Sequence, residues 1–143
     1  MKMPPIEILR EGRSLLDPVM HRHGFSFKDG PAGRSSGGHY ASGVYVNGNR
    51  RLEIHFRYSL GLVTYHFGQT SLDHESYMHA LLGTNGGNKY PGFSEDPLDV
   101  FRGLAYDLEN FATAFLNGNS EEYSRCVIAA EERKKISGFA RLP

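Results

Sequence analysis

Three runs in the middle of the chain, residues 39–47, 51–59 and 62–69, alternate apolar with polar side chains and are separated by turn residues. A period of two is the mark of an antiparallel strand with one buried and one wet face. The middle run shows it best: Leu52, Ile54, Phe56 and Tyr58 on one side, Arg51, Glu53, His55 and Arg57 on the other. Charged side chains are not buried without partners, so anything packed on this sheet has to choose the apolar side.

The turns suggest a register. A two-residue loop at Leu60-Gly61 pairs Phe56 with Tyr65 and Ile54 with Phe67, and sets His55 opposite His66 and Arg57 opposite Thr64. A three-residue loop at 48–50 in the first hairpin pairs Val46 with Leu52 and Val44 with Ile54, which sends Tyr45 to the polar face.

The flanks read as helices. Residues 5–23 carry a stripe of Ile6, Leu9, Leu16, Val19 and Met20, with a break expected at Asp17-Pro18, because proline lacks an N–H and clashes with the preceding turn. Phe25 and Phe27 alternate into a short strand, and residues 29–38, "DGPAGRSSGG", read as a loop. Residues 72–82 form a helix ended by Gly83. Asp96-Pro97 opens a long amphipathic helix running through Leu98, Phe101, Leu104, Leu108, Phe111 and Phe115, and a last helix covers 121–136. The expected order is α-β-β-β-β-α-α-α. This is an α+β fold, with an antiparallel meander of about four strands and helices on one face. At 143 residues, 1–143 is expected to be one domain, long enough to bury about two-thirds of its unfolded surface.

Composition removes several functions. The 16 basic and 16 acidic residues cancel, so neither nucleic acid nor an anionic membrane is an expected partner. No run approaches the ~20 apolar residues of a membrane span, and the N-terminus lacks the apolar segment of a signal peptide. Cys126 is the single cysteine, which rules out an intrachain disulfide. A cytoplasmic location is expected.

No catalytic signature stands out. In "HESYMH" the histidines His74 and His79 are five apart, about 140° around a helix, where a zinc-binding H-E-x-x-H needs four. The glycine-rich stretches lack phosphate-cradle spacing, and Cys126 among Val127 and Ile128 reads as a small buried hydrophobe. The candidate surface is the polar side of the sheet, with Tyr45, Arg51, Glu53, His55, Arg57 and His66. Two imidazoles with a carboxylate can hold a metal, and histidine with arginine can hold an anion. The ordinary alternative is a solvated sheet face.

The segments "LLDPVMHRHGFSFK" and "RRLEIHFRYSLGLVTYHFG", followed by amphipathic helices, resemble in order small bacterial α+β proteins, some of which are immunity proteins that neutralise a partner toxin. The resemblance implies a protein partner and carries over no functional residues. The leading expectation is a non-enzymatic protein-binding module of this immunity type, with no cofactor. A homodimer through the same surface is the other assembly the sequence allows. The alternative is a small-ligand or metal-binding protein, or a hydrolase-like enzyme, that uses His55 and His66.

Overall fold

A computed structural model describes residues 4–35, 38–57, 60–92 and 94–140. One antiparallel sheet runs in sequence order: β1 (Ser26–Ser35), β2 (Gly38–Asn47), β3 (Arg50–Phe56), β4 (Leu60–Phe67) and β5 (Thr70–Asp73). Helix α1 (Pro5–Arg22) precedes it. After it come α2 (His74–Leu82), a 3-10 turn (Gly83–Asn85), α3 (Pro97–Asn110), α4 (Thr113–Asn117) and α5 (Ser120–Ala140). The α+β class and the meander follow the sequence reading. The helices pack on the sheet face that carries Tyr45, Leu52, Ile54, Phe56, Val63, Tyr65 and Leu72, in one continuous apolar core.

Several local expectations change. Helix α1 runs unbroken through Pro18, because the side chains on both sides of it, Leu9 and Leu16 before and Val19 and Met20 after, bury against the same core. That shared burial outweighs the ~3 kcal/mol proline penalty of an interior helix position. Most of the expected loop 29–38 is strand: β1 pairs with β2 from Ser26 to Ser35 around a bulge between Asp29 and Ala32, while Ser36 and Gly37 lie outside the described residues. Pro31 fits this edge strand because its carbonyl takes the Ser42 hydroxyl at 2.6 Å, and a missing N–H is harmless at an edge. Residues 70–73 form β5, so the helix expected from Leu72 starts instead at His74, with the Asp73 carboxylate accepting the Ser76 N–H. The long helix stops at Asn110. The Asp107 carbonyl accepts both the Phe111 and Ala112 N–H groups, and the re-aimed α4 stacks Phe115 on Phe25.

Both hairpin registers differ from expectation. In the first, the loop has two residues, Gly48-Asn49, so Tyr45 faces Leu52, Gly43 faces Ile54 and Ala41 faces Phe56. Gly48 has φ +59 and among the described residues no non-glycine residue is positive, as in a type II′ turn. A one-residue slip exchanges the faces of a strand: Tyr45 enters the core and Val44 and Val46 turn outward. The choice has physical causes on both strands. The Phe27 ring crosses directly over Gly43, where an added Cβ would come within 2.1 Å of it. The Tyr45 hydroxyl, in turn, reaches Asp17 Oδ1 at 2.6 Å.

The second register is shifted by four, since Ile54 pairs with Val63 and not Phe67. An even shift keeps each face but changes the neighbours. Leu60 and Gly61 lie inside β4, a bulge falls between His55 and Phe56, and Tyr58 and Ser59 lie outside the described residues.

Candidate functional site

The outer face of the sheet is left uncovered by the helices. On β3 it presents Arg51, Glu53 and His55; the paired residues Val46, Val44 and Ser42 of β2 and His66, Thr64 and Leu62 of β4 lie alongside. Lys28 of β1 joins them through its pairing with Val44. Leu62 is 60% exposed, and Val44 and Val46 are half-buried. Of the six residues singled out from the sequence, the structure brings Glu53, His55 and His66 together, holds Arg51 and Arg57 on the same face, and removes Tyr45. Tyr45 is fully buried on the opposite side, between Phe27 and α1.

His55 is not opposite His66; the register sets it opposite Leu62, and Arg51 faces His66. The two histidines still meet through Glu53, which lies diagonally between them. His55 Nε2 stands 2.8 Å from Glu53 Oε2, and His66 Nε2 stands 2.9 Å from Glu53 Oε1. An ionised carboxylate only accepts, so both Nε2 atoms carry the hydrogen; His66 Nδ1 then accepts from the Ser71 hydroxyl at 2.8 Å. The bonds from His55 and then His66 hold the Glu53 carboxyl below the usual carboxylate range. Arg57 reaches the Gly38 carbonyl at 3.0 Å and lies over the Tyr40 ring.

Both imidazoles spend their Nε2–H on Glu53, and among the described residues no group of three or more His, Cys, Asp or Glu is arranged to hold a metal ion. His74 and His79 likewise diverge, with His74 buried and His79 half-buried.

A second arrangement went unnoticed in the sequence. His74 Nε2–H donates to Asp107 Oδ2 at 2.9 Å, and His74 Nδ1 accepts from the Tyr65 hydroxyl at 2.7 Å. All three side chains are buried. Asp107 also accepts the Lys89 N–H at 2.6 Å and the Tyr90 N–H at 2.8 Å, and the Tyr90 hydroxyl donates to the Leu60 carbonyl. The chain of bonds resembles a catalytic relay on paper. Among the described residues, however, its members hydrogen-bond only to one another and to the backbone, so it works as a fastener between strand β4, helices α2 and α3 and the loop after the 3-10 turn, while His74 and Tyr90 also line a neighbouring cavity. Among the described residues no buried side-chain polar atom lacks a partner.

A signal for this network was present. Asp107 falls on the apolar stripe of α3, three residues after Leu104 and one before Leu108, and His74 sits three and four residues before Tyr77 and Met78 on the buried side of α2. A titratable residue on an apolar helix face needs a buried partner.

The fastened loop walls a pocket of about 680 Å³ between the start of β4 and α2. Cys126 does not open onto it; the cysteine is buried in α5, and burial pushes its thiol pKa up, as for an unreactive core residue. Among the described residues, no helix is long and apolar enough to cross a membrane. Compared with protein families, curated proteins and solved structures, the chain matches none.

Proposed function

We propose that this chain is a non-enzymatic protein-binding module that receives its partner on the open face of the sheet. The observation that carries this reading is the face itself. Five strands wide, it combines exposed Leu62 and half-buried Val44 and Val46 with Arg51, Arg57 and Lys28, and leaves them uncovered. Apolar patches rimmed by polar groups mark contact surfaces, and arginine is a favoured interface anchor.

The edges of the same sheet are poor templates for strand addition. β1 is interrupted by a bulge at Pro31 and β5 is four residues long. A partner therefore docks on the face.

Charge selects the kind of partner. Lys28, Arg51 and Arg57 outnumber Glu53, whose charge is engaged by two histidines, and Asp73, which caps α2. An acidic protein surface complements this patch. A second copy does not, because an isologous contact would set the same cations against one another. The finer reading, an immunity-type protein that acts in a bacterial cytoplasm by masking a toxin, rests on the resemblance in element order.

The test compares variants on two faces. Val46→Glu and Arg51→Glu reverse the sheet face, and Glu121→Lys changes the helical side. Tagged forms of each are returned to the cells of origin and examined by native mass spectrometry. A partner mass kept by wild type and Glu121→Lys but lost from both sheet-face variants is the expected result. A partner retained by Val46→Glu and Arg51→Glu would move the contact off this face.

A further inference from the structure

The pocket beside α2 borders the partner face, with Leu62 belonging to both, and its walls have a definite chemistry. Its volume of about 680 Å³ lies within the range of small-molecule sites. The floor is apolar and fixed: Leu60, Val63, Met78 and Tyr90 are each less than a tenth exposed. One wall is the loop hung on Asp107 through the Lys89 and Tyr90 N–H groups, so the cavity is preformed.

The charged side chains that line it among the described residues have one sign, Asp73 and Glu75, with no lysine or arginine. Asp73 spends Oδ1 on the Ser76 N–H at the start of α2 and keeps a second oxygen. Glu75 is largely solvent-exposed, and among the described residues its one ion pair is a long contact to Arg133, 3.9 Å away. The Tyr90 ring adds an aromatic surface, which attracts a cation through its face.

An apolar floor, an aromatic wall and an anionic rim select for one class of ligand. We infer that the pocket binds a small organic cation, a guanidinium or ammonium group carried on an apolar stem. The stem covers Val63 and Met78, and the head reaches Asp73 and Glu75 at the rim. The site borders the protein-binding face at Leu62, but its charge readout at Asp73 and Glu75 is separate from the Val46 and Arg51 variants of that face, so either reading can fail alone.

An isosteric pair tests the charge. Nα-acetyl-arginine methyl ester and the neutral Nα-acetyl-citrulline methyl ester are titrated into the full-length, isotope-labelled protein and followed by NMR. The arginine probe should give saturating shifts at Val63, Met78 and Tyr90 and bind about tenfold or more tightly than citrulline, the size of a lost charge-assisted hydrogen bond.

Asp73→Asn combined with Glu75→Gln should remove that discrimination. The double variant keeps its fold, because asparagine caps a helix as well as aspartate does and Glu75 is exposed. The same arginine within the peptide Gly-Gly-Arg-Gly-Gly separates the sources: free ester bound at least as tightly as peptide identifies a small molecule, and a clear gain for the peptide identifies a polypeptide side chain. Equal binding of arginine and citrulline, shifts that avoid the pocket, or discrimination that survives in the double variant would each overturn the inference.

Discussion

The molecule builds the same chemical unit twice, in opposite surroundings. Asp107 with His74 and Glu53 with His55 and His66 are both carboxylates held by imidazole N–H groups at 2.8–2.9 Å. Asp107 and His74 are shut in the core, 0% and 3% exposed, and Asp107 is further fixed by two backbone N–H groups. Glu53 and His55 stand about two-fifths exposed on an open sheet. An inner carboxylate cannot fall back on water, so every partner it loses is a real loss. An outer carboxylate exchanges its partners for water at little expense, which leaves its face free to meet another molecule. The difference teaches that a His–carboxylate contact does not by itself indicate function. Burial turns it into a fastener and exposure turns it into a surface.

The largest expected effect is at the fastener. Asp107→Ala leaves the Lys89 and Tyr90 N–H groups and His74 without their acceptor. It should lower unfolding free energy by about 3–5 kcal/mol, read from the midpoint of urea denaturation. A loss below about 1 kcal/mol would place Asp107 with the exposed pairs.

Tyr45→Phe probes the intermediate case, a buried hydroxyl bonded to an Asp17 carboxylate that is only a quarter exposed and retains Arg13. About 1–2 kcal/mol should be lost. Burial and the bond to Asp17 raise the pKa of this tyrosine well above the ordinary value, so the phenol should also resist ionisation in an alkaline absorbance titration until the protein unfolds.

Glu53→Gln should cost only about 0.5 kcal/mol, given the exposure of the cluster. Its pH dependence has a definite sign. A carboxyl whose pKa is lower folded than unfolded binds fewer protons in the native state. Its contribution is therefore complete above the unfolded value of 4.5 and drains away as pH falls through the folded one. Wild type and Glu53→Gln should differ at pH 6, and the gap should narrow as pH falls below the ordinary carboxylate range. A gap that widens in acid would contradict the bonding described here. Smallest of all, Arg51→Glu should change stability by less than about 0.5 kcal/mol while it abolishes partner binding. A large loss of stability would make Arg51 structural.

Much of the fold was legible because period-two alternation and helix caps are local signals. The α+β meander, the Asp96 cap and the open face carrying Arg51, Glu53 and His55 all followed from them. Register was less legible because it depends on fits that local patterns do not contain. The β2 slip is decided by Phe27 lying over Gly43 and by Asp17 waiting for the Tyr45 hydroxyl, both distant in sequence. Composition marks residues 29–38 as a loop, whereas the backbone of 29–35 finds partners along β2. In the candidate surface, Glu53 meets both histidines even though the pairing that suggested it was wrong, because the shift was even. The Tyr65–His74–Asp107 network was not legible as polar patterning, because Asp107 and His74 sit on apolar helix faces.

Histidine footprinting of the protein with its co-isolated partner tests the central claim most directly, because His55 lies on the sheet face and the comparably exposed His21 lies on α1. Each is labelled with diethyl pyrocarbonate, free and bound. Labelling of His55 should fall on binding while that of His21 stays constant. Unchanged His55 with protected His21 would show that the partner sits on the helical side and that the open sheet is only a solvated surface.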